Sequence, residues 1–91
     1  MNKGIITKVK KLRVGDKVVI NNETYTVQER HTNTEAFDQI VNKGYYFHLD
    51  KGYRLDCEYN KLKLYTIIEK KTLGFVISHC KYHDIQSIEI L

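Results

Sequence analysis

From Val14 to Val27 apolar and polar positions alternate, break at a pair of asparagines, and then alternate again. A period of two puts successive side chains on opposite faces of a strand. The pattern predicts a strand over residues 14–20 with Val18 and Ile20 on one face, then a turn at Asn21-Asn22-Glu23. A return strand carries Tyr25 and Val27 to the same face. Asparagine tolerates the positive φ that tight hairpin turns require. Upstream, Ile5, Ile6 and Val9 support a weak strand or extended arm over residues 4–10.

The period changes in residues 31–44. Thr34 as N-cap, Phe37, Ile40 and Val41 at helical spacing, and Gly44 as a C-terminal stop predict one short helix over residues 35–43. A long irregular β-loop is the alternative. From Tyr45 the period returns to two, with Tyr45, Phe47 and Leu49 on one face and Tyr46 and His48 on the other. Asp50-Lys51-Gly52 predicts a three-residue turn with glycine in the left-handed position. Beyond it Tyr53, Leu55 and Cys57 point inward, and Arg54 and Asp56 outward. Leu62, Leu64, Thr66 and Ile68 alternate next, Glu69-Lys70-Lys71-Thr72 reads as a turn, and Leu73, Phe75 and Ile77 form a further strand. Asp84-Ile85-Gln86-Ser87 suits a single helical turn before a last strand over residues 88–91. The expected core is Val18, Ile20, Val27, Phe47, Leu55, Leu64, Phe75, Ile77, Ile88 and Ile90.

These elements predict a mainly β protein, a small antiparallel barrel or strongly bent sheet of about 5–6 strands with one short helix. The 91 residues form a single domain, 1–91. A domain of this size buries one modest core, so a homodimer is an expected option, with the last strand pairing either within the chain or across to a second copy. Val14-Gly15-Asp16-Lys17-Val18-Val19-Ile20, the turn, and Tyr25-Thr26-Val27 resemble the opening hairpin of SH3-like barrels. The segment 84–87 before a short final strand is similar to that class as well. Such barrels bind peptides, RNA, DNA and other proteins, so the resemblance implies a fold and no single function.

Charge narrows the partners. Residues 1–17 hold Lys3, Lys8, Lys10, Lys11, Arg13 and Lys17 against Asp16 alone, so the whole excess behind the chain's net charge of +4 sits there and the remainder is slightly acidic. A local basic run attracts nucleic acid, nucleotides or an acidic protein surface, and lysine on an exposed edge also blocks aggregation. No apolar run approaches the ~18 residues of a membrane span, and residues 1–8 contain no apolar signal segment. The two cysteines, Cys57 and Cys80, fit a reducing compartment, so a cytoplasmic protein with no membrane partner is expected. The absence of proline and tryptophan, with frequent Lys, Asn, Ile and Tyr, matches AT-rich genomes such as those of low-GC bacteria and their phages.

Chemistry-bearing residues form no catalytic set in the sequence. Cys80-x2-His83 has ligand spacing, and Cys57, His79 and His48 could complete a zinc site. A structural zinc site usually shows two close pairs, and only one is present, so no metal and no cofactor are expected. Four histidines, His31, His48, His79 and His83, among many Tyr, Lys and Arg residues suit metal-free ribonuclease chemistry. Gly15-Asp16-Lys17-Val18 is similar to the opening strand of the MazF kind of toxin, but that family's Arg-Pro segment is missing from this proline-free chain. Neither cysteine has an evident histidine orienter, and the scattered glycines form no phosphate-binding loop.

The turn at 50–52 sets His48 across from Arg54, with Lys63 and Tyr65 following in the same outward phase beside Tyr46. Aromatic faces for bases and cations for phosphates are what single-stranded nucleic acid or a nucleotide requires. The expectation is a small non-enzymatic binding protein. It would engage nucleic acid or a nucleotide through Lys8, Lys10, Lys11 and Arg13 together with Tyr46, His48, Arg54, Lys63 and Tyr65. One alternative is a phage or mobile-element module that inhibits a host or defence protein. Another is a small ribonuclease that depends on His48, His79 or His83.

Overall fold

The structure is a computed structural model that describes residues 3–37 and 40–91. Helix α1 (Lys3–Lys10) precedes strands β1 (Lys17–Ile20), β2 (Glu23–Phe37), β3 (Ile40–Leu49), β4 (Tyr53–Glu58), β5 (Lys61–Thr72), β6 (Phe75–His83) and β7 (Ile88–Ile90). All seven strands among the described residues join one antiparallel sheet in the order β6-β5-β4-β3-β2-β1-β7.

This sheet cannot be flat. Neighbouring strands lie ~4.8 Å apart, so β4 and β7, four steps apart, would be separated by ~19 Å on a plane. Helix α1 nevertheless packs against both, and a helix with its side chains is only ~10 Å across. Residues 84–87 alone join β6 to β7, although these strands form opposite edges. The sheet is therefore strongly bent around α1, which is the second of the two expected shapes.

Helix α1 replaces the extended arm expected over residues 4–10. Ile6, Val9 and Leu12 recur every three residues and are all buried. That spacing makes one helical stripe, and the stripe fills the concave side of the sheet. There it meets Val18, Ile20, Tyr25, Val27, Phe47, Leu49, Leu55, Cys57 and Leu64. Ile85, Ile88 and Ile90 pack half-buried at the margin. Among the described residues, no helix is long and apolar enough to cross a membrane.

The hairpin turns follow their residue chemistry. Asn21 and Asn22 carry φ of 52° and 66°, and Ile20 pairs with Glu23, so the turn holds two residues. Asp50–Gly52 forms the second turn, with His48 paired to Arg54 as the spacing requires. Val14 lies outside β1, in the turn that leads to it.

Several expectations need correction. Residues 38 and 39 of the expected helix lie outside the described residues, but 35–37 and 40–43 are strand, as the ends of a long β2–β3 hairpin. Helical spacing there was outweighed by cross-strand pairing, from Thr32 with Tyr45 to Phe37 with Ile40. Gly44 is consequently a mid-strand residue rather than a helix stop. A side chain added at Gly44 would collide with the Tyr46 ring, its Cβ only 2.5 Å from the phenol oxygen. Residues 69–72 are strand, and the turn falls at Leu73-Gly74, where Gly74 takes φ of 88°. Phe75 and Ile77, expected inside, are 62% and 48% exposed because the β5–β6 hairpin runs past the end of the core.

Segment 84–87 is not a helical turn. The Asn21 amide holds it: Nδ2 donates to the Asp84 carbonyl at 2.7 Å, and Oδ1 accepts from the backbone N–H of Gln86 and Ser87. These bonds dock β7 beside β1, so the last strand pairs within its own chain. Asn21→Ala removes all three and leaves a Cβ residue at positive φ without its local compensation. A destabilisation of about 1–3 kcal/mol is expected, measurable by urea unfolding, with amide exchange of β7 accelerated ahead of the rest.

Candidate functional site

A single bulge organises the functional surfaces. Val27 pairs with Leu49 and Glu29 with His48, so Gln28 is an extra residue in β2. An inserted residue inverts the facing of everything beyond it. Arg30 therefore turns to the inner side, opposite Phe47, while Glu29 and His31 turn outward.

On the inner side this creates a basic cleft of about 820 Å³ between α1 and the β2–β3 hairpin. Thr7, Lys10, Lys11, Arg13, Val14, Arg30 and Tyr45 line it. The Arg30 guanidinium donates to the Lys10 carbonyl at 3.1 Å, closing the C-terminal end of α1. It also sits 5.4 Å from the centre of the Tyr45 ring, as does the Lys43 ammonium. Asp16 lies near Arg13, but it accepts from the backbone N–H at 2.9 Å as the local turn closes. Among the described residues that line the cleft, four are cationic and none is acidic.

Of the residues expected in the basic segment, Lys10, Lys11 and Arg13 line this cleft and Lys8 does not. Arg30 and Tyr45 were missed. Nothing in a single sequence marks the bulge that brings Arg30 inward.

The convex face carries the other group. Tyr46, His48, Arg54, Lys63 and Tyr65 share it as expected, in two cross-strand rows: His48–Arg54–Tyr65 and Tyr46–Asp56–Lys63. Tyr82 extends the first row, its ring 5.6 Å from that of Tyr65. This face lies opposite the cleft, so the two parts of the expected interface do not meet.

Carboxylates occupy the convex face as fully as cations do. The Tyr46 hydroxyl donates to Glu58 Oε1 at 2.7 Å, and this bond, together with burial, pushes its pKa up to about 12. Burial raises the Tyr65 pKa, and the neighbouring Asp56 charge adds to the effect. Burial also raises the pKa of Asp56 itself, whose Oδ1 has no hydrogen-bond partner.

His48 Nδ1 and His31 Nε2 both approach one oxygen, Glu29 Oε2, at 2.7 and 3.1 Å. The His31 bond, then the His48 charge, hold Glu29 below the usual carboxylate range. His48 itself is pulled down, first by burial and then by the Arg54 charge. We read its contact with Glu29 near neutral pH as a neutral imidazole N–H donating to a carboxylate.

The remaining histidines and cysteines do not come together. Cys57 is buried in the core, where burial pushes its thiol pKa up. Cys80 is exposed on β6, and His79 is exposed beside it. His83 faces the inner side, 3.1 Å from Thr66 Oγ1, with its ring 5.3 Å from that of Tyr53. The residues with zinc-ligand spacing in the sequence therefore do not share a site, and His79 and His83 lie apart from His48.

Tyr46 is not alone in its late titration. Tyr25, buried and close to Tyr53 and Glu23, is also raised to about 12. A raised folded value favours the protonated phenol. The associated stability is fully present below pH ~10 and is lost as pH rises towards ~12. Absorbance at the phenolate band should show a late phase that shrinks when Tyr25→Phe and Tyr46→Phe are combined. A titration that the double variant leaves unchanged would contradict both placements.

No protein-family model matches the chain, and no match was found among curated proteins or solved structures.

Proposed function

We propose that this protein is a non-enzymatic binder of a phosphate-bearing ligand, single-stranded nucleic acid or a nucleotide, held in the cleft between α1 and the β2–β3 hairpin. One observation carries the reading: Lys10, Lys11, Arg13 and Arg30 converge on one cavity beside an aromatic ring, with no acidic residue in its described lining. Clustered cations in a concave site focus a positive field and raise local anion concentration. Arg30, already anchored by the Lys10 carbonyl and the Tyr45 ring, loses little freedom when it meets a phosphate. The convex face is weaker support, because Glu29, Asp56 and Glu58 offset Arg54 and Lys63 there.

Fluorescence anisotropy with a labelled single-stranded oligonucleotide across a salt series tests this. Lys11→Glu with Arg13→Glu should weaken binding roughly tenfold or more at low salt and flatten its salt dependence. Arg54→Ala with Lys63→Ala, on the opposite face, should change it little. Equal affinity in wild type and the Lys11/Arg13 variant would overturn the reading.

A second reading, a protein-interaction module, rests on the β5–β6 hairpin. Leu73, Phe75, Val76 and Ile77 stand in solvent there, with Leu73 99% exposed. Large apolar side chains exposed together on one projecting hairpin favour a protein partner. It would be preferred if the chain bound no oligonucleotide and a partner protein were released by charge substitutions at Val76 and Ile77.

A further inference from the structure

We propose that Glu29, His31 and His48 form a binding site for a divalent transition-metal ion such as Zn2+ on the convex face, independent of the basic cleft. Glu29 and His31 are two apart on β2 and so share a face, and the Gln28 bulge turns that face outward. Register then sets His48 of β3 directly across from Glu29. Their donor atoms lie within 4.8 Å of one another. A tetrahedral ion with bonds of ~2.0–2.2 Å separates its ligand atoms by ~3.3–3.6 Å, so seating the ion needs only small rotations about side-chain bonds.

The donor chemistry agrees. Two imidazoles and one carboxylate suit zinc and its first-row neighbours better than magnesium or calcium, which prefer all-oxygen sites. The ion takes the place of the ring protons that point at Glu29 Oε2. Each neutral imidazole shifts to the tautomer that carries its one proton on the other nitrogen, leaving His31 Nε2 and His48 Nδ1 to donate lone pairs. His48 is half-buried, and its ring lies 5.0 Å from that of His31, which limits the freedom either ring loses on coordination. Glu29 and His31 are more than half exposed, so the remaining coordination positions open to solvent.

Zn2+ alone, titrated calorimetrically into chelator-treated full-length protein, tests the site, with histidine ring nitrogens followed by NMR. Saturation at about one equivalent is expected, with the resonances of His31 Nε2 and His48 Nδ1 moving and those of His79 and His83 staying. Glu29→Gln, His31→Ala and His48→Ala should each weaken binding roughly tenfold or more, and Cys80→Ser should leave it unchanged. Circular dichroism separates loss of the site from loss of the fold, and His48→Gln provides a second variant at the most buried ligand. Absence of saturable binding, binding lost in Cys80→Ser, or shifts at His79 or His83 instead would each overturn the proposal.

Discussion

Phe47→Ala should destabilise the protein by about 3–5 kcal/mol, a large share of the stability that a domain this small commands. Phe47 is 0% exposed and lies on β3, at the middle of the seven-strand order. It pairs with Leu55 on one side and Arg30 on the other. The cavity left by truncation would sit beneath α1, where surrounding strands cannot collapse without disturbing their ladders. Phe75→Ala is the internal control. That ring is 62% exposed on the projecting hairpin, so its loss should fall within about 0.5 kcal/mol of wild type. Urea unfolding of both variants by circular dichroism decides the matter. Equal stabilities, or Phe75→Ala as the worse of the two, would contradict the placement of the core.

The second large effect belongs to Leu12. Two residues past α1 it continues the buried stripe of Ile6 and Val9 and is 1% exposed, and Leu12→Ala should cost about 2–5 kcal/mol. Had residues 4–10 been an extended arm in solvent, a neighbouring substitution would stay within about 0.5 kcal/mol. Leu12→Met, which nearly conserves volume, should lose less than about 1.5 kcal/mol. A mild Leu12→Ala would mean that α1 does not plug the sheet.

Wherever local chemistry decides structure, the sequence was readable. Asn21-Asn22 and Asp50-Lys51-Gly52 announce their turns through positive φ, and turn length then fixes that His48 faces Arg54 and that Tyr65 and Lys63 follow. Wherever tertiary contacts decide, it was not. Three apolar residues at a spacing of three mark α1, but eight residues make a marginal helix alone, and the bent sheet is what stabilises it. Alternation also could not show that the β5–β6 hairpin outruns the core, because a strand keeps its period whether or not anything covers it. The bulge at Gln28 was the costliest blind spot. One unmarked residue decides which side chains of β2 face α1 and which face outward, and both candidate sites depend on it.

The docking of β7 against β1 also dictates an order of assembly. The other strand pairs join sequence neighbours, and hairpins close in roughly 1–10 μs. The Val18–Ile90 pair instead closes a loop spanning nearly the whole chain, so its entropy cost must be met before its contacts form. The central meander should therefore form first and β7 add last. In that interval the outer edge of β1 stands bare beside a half-covered core, open to the β7 of another chain. Refolding at high concentration should consequently yield a strand-swapped dimer as its characteristic by-product.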